Sequence, residues 1–501
     1  MTLFGSSSHV LDRKAELTTV TNNEEVELGA PQSFDTEING TPRDQRDMAR
    51  LGRKQELKRN FEFLSVLGFT CILMSTWETQ LTASTFGLTN GGLAGLVWMY
   101  LITFAGFIAV VASMAEMASM APTSGGQYHW VSEFAPKSCQ KFLSYLTGWI
   151  CVLGWQTGIA SVGYLAGTQI QGLLVLNDSS YGYERWHSTL LMIAISFIAV
   201  FFNTVFAKYL PMVEGLILIL HVFGFFAILV TLWVLAPRNS AKDVFTTFTD
   251  GGNWGSAGLS TLIGMLSPVF AFIGPDSATH MSEEIKDASR VLPSAMMWTV
   301  ILNGTLGYVM LITFCFCVGD VGAALSTPAG YPFIAVFYNA TNSHAGTTVM
   351  TCILVTLTVN PRYNVPLNSI LLSLAITILL SLMDIGSSVA FNAIASLGVA
   401  SLISSYIVSI SCLRLKRFRG EYLPPARWSM GRYASTVNTI AIAYLLLVFV
   451  LSFFPETRRV VPATFNWGIL IYGVMVVFAV VFYFVKGRHG YVGPVVLIKL
   501  D

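Results

Sequence analysis

The segment SPVFAFIGPDSATHMSEEIKDASRVLP, from Ser267 to Pro293, decides the fold. It begins as an apolar run, is interrupted by Gly274, Pro275 and Asp276, and then turns polar and charged. Inside a bilayer every backbone amide and carbonyl needs a partner, so an opened helix survives only where it faces a cavity or a ligand. The interruption therefore predicts a membrane helix broken at depth, contributing half of a substrate site.

The rest of the chain agrees with a membrane setting. Of its 501 residues 53% are apolar and 11% charged, and the mean hydropathy is +0.62. A soluble domain carries about 25% charged residues. Apolar runs long enough to span recur along the chain, near 61–86, 91–115, 142–175, 188–207, 210–236, 257–279, 294–318, 345–359, 366–384, 388–413, 436–454 and 465–485. The class is all-α and polytopic, with about twelve spans.

Residues 1–41 are polar, too poor in apolar side chains to form a core, and are expected to be disordered. A basic segment follows, with Arg43, Arg46, Arg50, Arg53, Lys54, Lys58 and Arg59 ahead of Phe61. The positive-inside rule then puts the N-terminus in the cytoplasm. Alternation places Lys137, Lys141, Lys208, Lys286, Arg290 and the Arg414–Arg419 cluster on the same side, with Arg458 and Arg459 as exceptions. Two glycosylation sequons, at Asn177 and Asn339, fall in loops assigned to the opposite side. The seven cysteines lie mostly in apolar runs, without the spacing of a disulfide framework or a zinc site. No nucleophile–base pairing, metal-ligand spacing or phosphate loop supports an enzyme, and no cofactor is expected.

The first span carries its own interruption, Ser75-Thr76-Trp77-Glu78. A charged side chain at that depth costs about 2.5–3.5 kcal/mol on insertion scales, which favours a cavity over lipid. Alternatively the span ends at Met74 and Glu78 is interfacial. Interruptions in spans one and six match a five-plus-five inverted repeat whose discontinuous helices meet at the midplane. Their opened ends offer amides to a carboxylate and carbonyls to a cation. Gly154/Gly158 and Gly163/Gly167 in the third span are small-residue pairs suited to close helix packing. His221 reads as a packing histidine, with a proton relay as the alternative, and Glu214 as a partner of Lys208 near the cytoplasmic face, with a gating role for Glu214 as the alternative.

Four stretches carry a family resemblance. EMASMAPTSGGQYHWVS (Glu116 to Ser132) and GPDSATHMSEEIKDASRVLP (Gly274 to Pro293) are the longest; FNTVFAKYLPMVEG (Phe202 to Gly215) and NPRYNVPLNSI (Asn360 to Ile370) also fit. Together they resemble the amino acid–polyamine–organocation permeases, closest to the fungal branch that takes GABA, choline and amino acids. The resemblance covers about residues 60–485.

It implies a LeuT-like fold: a first repeat near 60–236, a second near 257–413, helices eleven and twelve near 436–485, and a short cytoplasmic tail over 486–501. It also implies proton-coupled uptake of an amine or amino acid by alternating access, through the plasma membrane. Carried over residue by residue, the substrate site comprises Ser75, Thr76, Trp77 and Glu78 opposite Phe272, Ile273, Gly274, Pro275 and Asp276. Trp77 and Glu78 depart from the small residues of the wider superfamily. A tryptophan face suits a quaternary ammonium, worth about 0.5–2 kcal/mol; packing against span three or six is the other reading of Trp77. His280 joins Asp276 and Glu78 as a coupling candidate. Glu283 and Glu284, with Lys286 and Arg290, read as a charged inner gate or as a solvated loop.

The eighth span is too short. TTVMTCILVTLTV, Thr347 to Val359, covers about 20 Å of a hydrocarbon core about 30 Å thick, and it runs straight into Asn360-Pro361. About 35 residues of the family pattern are expected to be missing between intact flanks, as a mis-splice or a faulty gene prediction would produce. A transport-inactive isoform and a membrane nutrient sensor are therefore the competing readings.

Overall fold

Long runs of Leu, Val, Ile, Phe and Ala satisfy their backbone internally only as helices in an apolar medium, and helices are what they form. The structure is a computed structural model that describes residues 40–52, 55–206, 209–358, 367–386, 390–462 and 464–495. Among these there is no strand, only two isolated bridges.

A short helix, α1 (Pro42–Arg50), precedes the bundle. The first span is divided into α2 (Phe63–Met74), α3 (Thr76–Thr82) and α4 (Ser84–Thr89). Next come α5 (Gly92–Met120), the short α6 (Gly126–Phe134), α7 (Gln140–Asn177), α8 (Arg185–Val205), α9 (Leu210–Leu235) and α10 (Ala241–Thr246). The sixth span is divided into α11 (Ala257–Gly264), α12 (Leu266–Phe272) and a 3-10 helix, Pro275–Glu284. Then follow α13 (Ala288–Cys317), α14 (Val321–Leu325), α15 (Pro332–Thr341), α16 (His344–Thr358), α17 (Leu367–Ser381), α18 (Met383–Gly386), α19 (Ala390–Phe418), α20 (Ala434–Leu451) and α21 (Gly468–Phe482).

Among the described residues ten helical stretches are long and apolar enough to cross a membrane. The broken first span and the short α16 bring the series to twelve. With 15 residues, α16 reaches about 22 Å, short of a core about 30 Å thick. The junction at Val359 and Asn360 lies outside the described residues, as do residues 1–39, Arg53, Lys54 and Lys208. Asn177 is the last residue of α7, and Asn339 sits within α15 rather than in a loop.

The broken segments occupy the interior. α3 and α12 pack on each other, α13 covers α2 and α3, and α5 lies against α12 and α13. α7 and α19 form the most extensive pair, with α6 wedged against both. Small residues permit this closeness. A Cβ on Gly307 would stand 2.2 Å from the Tyr100 hydroxyl, and one on Gly304 would stand 2.3 Å from the Phe104 ring.

Candidate functional site

Two backbone departures create the site. α2 ends at Ser75, which adopts the left-handed conformation at φ 41° and at once begins α3. A non-glycine residue there is strained by about 1–2 kcal/mol, and its neighbours compensate. The Ser75 amide donates to the Cys71 carbonyl at 3.0 Å, and its hydroxyl donates to the Ile72 carbonyl. From α13, the Asn303 side-chain amide also donates to the Cys71 carbonyl at 2.8 Å.

The second break follows α12. Ile273 is extended, Gly274 takes φ 100°, and Pro275 opens the 3-10 helix. Glycine tolerates that dihedral without Cβ crowding, and proline at a helix start lacks an amide that would go unpaired anyway. A Cβ on Gly274 would meet only the Trp155 ring, at 3.9 Å.

Asp276, one residue inside the new helix, is fully buried. Gln127 of α6 donates to one carboxylate oxygen at 2.6 Å, and the Tyr406 hydroxyl of α19 donates to the other at 2.5 Å. His280 stands 3.9 Å away on the same turn, and its Nδ1 meets the Ser124 carbonyl at 2.9 Å. The loop of the long sequence motif, Ser124 to Gln127, is thus folded onto the broken sixth span.

A cavity of about 490 Å³ lies beside this group. Gln127, His280 and Trp155 form the wall nearest Asp276, with Tyr128, Tyr145, Trp149 and Tyr491 around it. Trp155 presents its ring edge-on to His280 at 5.7 Å. Sequence reasoning missed Gln127, Trp155 and Tyr406 as site residues. Gln127 was in plain view within the motif, whereas no local signal marks Tyr406, which lies 130 residues from its partner.

Trp77 and Glu78 are directed toward α9. Trp77 is fully buried and packs on α9, edge-on to Phe225 at 5.9 Å and 6.0 Å from His221. Its ring neighbours are thus on span five. Glu78 meets His221 Nδ1 at 2.5 Å, with both side chains at most 2% exposed. Sequence reasoning took this histidine for packing; it is one half of a buried pair. Thr76 and Phe272 are buried too, and Phe272 stacks between Phe104 and Phe107 at 5.6 and 5.5 Å.

The residues read as a charged inner gate or a solvated loop gather at the basic end of the bundle. Glu283 accepts from the Ser124 hydroxyl at 2.7 Å, and the Glu284 carbonyl accepts the Asn60 and Phe61 amides at 2.9 and 3.1 Å. Lys286 pairs with Glu62 at 3.0 Å. Behind them, Asp44 of α1 accepts the amides of Asp287 and Ala288 at 2.9 and 3.0 Å, and lies 3.4 Å from Arg59. Arg59 in turn donates to the Ser282 and Ile285 carbonyls. Burial lowers the Arg59 guanidinium from its ordinary value, against the opposing pull of Asp44. The segment before the first span is thereby laced to the end of the sixth. Glu214 is half-buried early in α9; its expected partner, Lys208, lies outside the described residues.

A family profile described as amino acid permease matches residues 61–361 and 355–477, most of the chain. The chain belongs to the amino acid permease family. It is accordingly a multi-pass membrane transporter rather than an enzyme. It is 25% identical to Amino-acid permease 2 of Neurospora crassa, over 98% of this chain and 96% of that one. It is also 25% identical to the choline transporter of Saccharomyces cerevisiae, over 86% and 82% of the two chains. A mutant manganese transporter from Eremococcus coleocola shares the fold with a TM-score of 0.55 at 13% identity, covering 85% of this chain and 94% of that one.

The same matches bear on the short eighth span. The family profile matches in two pieces that overlap at residues 355–361, beside the expected gap. The Neurospora alignment runs over 525 positions, whereas 98% of 501 residues is about 491, so about 34 positions have no counterpart here. For the yeast transporter, 466 positions against 86% of 501, about 431, leave about 35.

Proposed function

We propose that this permease imports a small amine or amino acid across the plasma membrane by alternating access, coupled to protons, with both termini cytoplasmic. The observation that carries the reading is the pair of broken helices at Ser75 and Gly274, each opened in the bundle interior. Such breaks free backbone groups that a polar solute can satisfy, and they provide points about which half-helices swing. The relatives supply the substrate classes, amino acids and choline.

In this reading the substrate lies against Ser75, Thr76, Ile273, Gly274, Pro275 and Asp276, with Phe272 as the apolar backing. Asp276 orders the far wall by holding Gln127 and Tyr406 together. The aromatic face that meets an ammonium group is Trp155, beside Gly274, whereas Trp77 holds the first break against α9. The interactions of Glu283, Glu284 and Lys286 close the cytoplasmic side, and Glu214 is a further gating residue.

The test is uptake of labelled choline, GABA and amino acids by the full chain in a host lacking its own permeases. Substrate-competable uptake is expected, and Asp276→Asn should lower it at least ten-fold while the protein still reaches the membrane. Normal transport by Asp276→Asn would remove that residue from the site.

The short α16 and the missing alignment positions favour a second reading, in which this chain is a shortened, transport-inactive form of such a permease. Sequencing the transcript across codons 355 to 365 separates the two. About 35 further codons there would make this sequence an incomplete version of an ordinary permease. An uninterrupted junction, together with absent uptake, would establish the inactive form.

A further inference from the structure

We infer that Glu78 and His221 form the site that carries the coupled proton, an inference that rests on the transport reading above. Other buried carboxylates among the described residues are engaged differently. Asp276 accepts from an amide and a phenol, Glu116 pairs with Arg417 at 2.9 Å, Asp44 faces Arg59 and two backbone amides, and Asp384 accepts from the Ser188 hydroxyl. Glu78 instead shares a 2.5 Å contact with an equally buried imidazole. Histidine is the side chain whose ordinary titration falls in the physiological range.

The unused atoms indicate where the proton goes. Glu78 Oε2 and His221 Nε2 are buried and lack a hydrogen-bond partner. In the unloaded pair, Nδ1–H donates to the carboxylate, Nε2 holds a bare lone pair, and the net charge is −1. A proton from the outer water adds to Nε2 and gives an imidazolium–carboxylate pair of zero net charge, which a low-dielectric interior favours over a lone carboxylate. Release of the same proton to the inner water restores the first state. No covalent bond is made or broken.

The position ties protonation to movement. Glu78 lies three residues past the Ser75 break, on α3, while His221 belongs to the unbroken α9. A swing of α3 about Ser75 separates the two, so the stability of the pair biases which arrangement the first span adopts.

The surroundings add few competing groups. α12 and α4, which pack on α3, contain no titratable residue in LSPVFAF and STFGLT. α2 offers Cys71, whose thiol lies 4.0 Å from the Thr299 hydroxyl. α13 offers Tyr308, which lies against Tyr100 at 5.9 Å, and α15 offers Tyr338, packed on His344 of α16 at 5.0 Å. The Cys352 side chain of α16 is exposed, and Glu214 precedes His221 by two turns on α9 itself.

Trp77, 6.0 Å from His221, provides a reporter, because an imidazolium quenches a neighbouring indole. In the purified full chain, tryptophan emission should fall reversibly on acidification. The part of this change that Trp77→Phe removes should also be lost in His221→Gln, leaving the signals of Trp155 beside His280 and Trp186 beside His187 in place, with His221→Asn as a second variant if His221→Gln fails to remain monodisperse. In liposomes, Glu78→Gln and His221→Gln should each lose at least ten-fold of uptake driven by an inward proton gradient, yet retain substrate exchange across equal pH. An unchanged emission titration in His221→Gln, or proton-driven uptake at the original level in Glu78→Gln, would overturn the inference. Wild-type protein that titrates but moves no substrate in either assay would instead overturn the transport reading and support a proton-binding pair in a chain that does not transport.

Discussion

The two helix breaks solve one problem with opposite means. At the sixth span the opening is a matter of residue type: Gly274 supplies φ 100° without strain, and Pro275 removes an amide that would have no partner. At the first span a serine is held at φ 41° by bonds from its own hydroxyl and from Asn303 on α13. One break is encoded locally and the other is imposed by its neighbours. The locally encoded break should persist through most changes around it, whereas the imposed one should respond to residues that never touch a substrate.

The largest expected effect comes from Gly274→Val. A β-branched side chain at φ 100° is strained whatever the space, and the cost is about 1–3 kcal/mol or more. The Trp155 ring stands 3.9 Å from where a Cβ would sit, so Gly274→Ala, which adds only that atom, isolates the backbone part of the loss. Thermal stability in detergent should drop by several degrees and uptake by at least ten-fold. A variant as stable as the parent would show that the sixth break is imposed as well, and the contrast would collapse.

Much of this was legible beforehand, to different depths. GPD within an apolar run announces an opened helix, and the structure opens at Gly274. The TWE patch shows that the first span is unusual, but not where its side chains go. Glu78 finds its partner 143 residues away on α9, and helical periodicity around His221 gives no sign of it. Gly125 and Gly126 of the long motif are where the chain turns into α6, with Gly126 at φ 52°. That the turn delivers Gln127 to Asp276 depends on the packing of α6 between α7 and α19, which no local pattern specifies. The basic segment illustrates the same limit. Its charge gives an orientation, while the burial of Arg59 against Asp44 follows from how α1 docks. The short eighth span was visible because length alone decides whether a helix can cross.

Asn303→Leu probes the imposed break from outside it. The substitution removes the 2.8 Å bond to the Cys71 carbonyl while roughly keeping side-chain volume, and a bond of this kind contributes about 0.5–1.5 kcal/mol. A lowering of melting temperature by a few degrees is expected, with a larger relative loss of uptake than of stability. If uptake and stability fall together, Asn303 acts on general packing and not on the break.

The smallest effect belongs to Ser75→Gly, and it separates the two designs most directly. Glycine relieves left-handed strain of about 1–2 kcal/mol. It forfeits the hydroxyl bond to Ile72, and it adds chain entropy to the unfolded state, about 0.5–1 kcal/mol. These terms nearly cancel, so the melting temperature should move by no more than a degree or two. The first break would then be encoded in the same way as the sixth, and its dependence on α13 should weaken. In the Ser75→Gly background, Asn303→Leu should therefore cost less uptake than it does alone, a non-additivity that a double-mutant cycle measures. Equal losses in both backgrounds would mean that Asn303 and Ser75 act independently, and that the break stands without the help of α13.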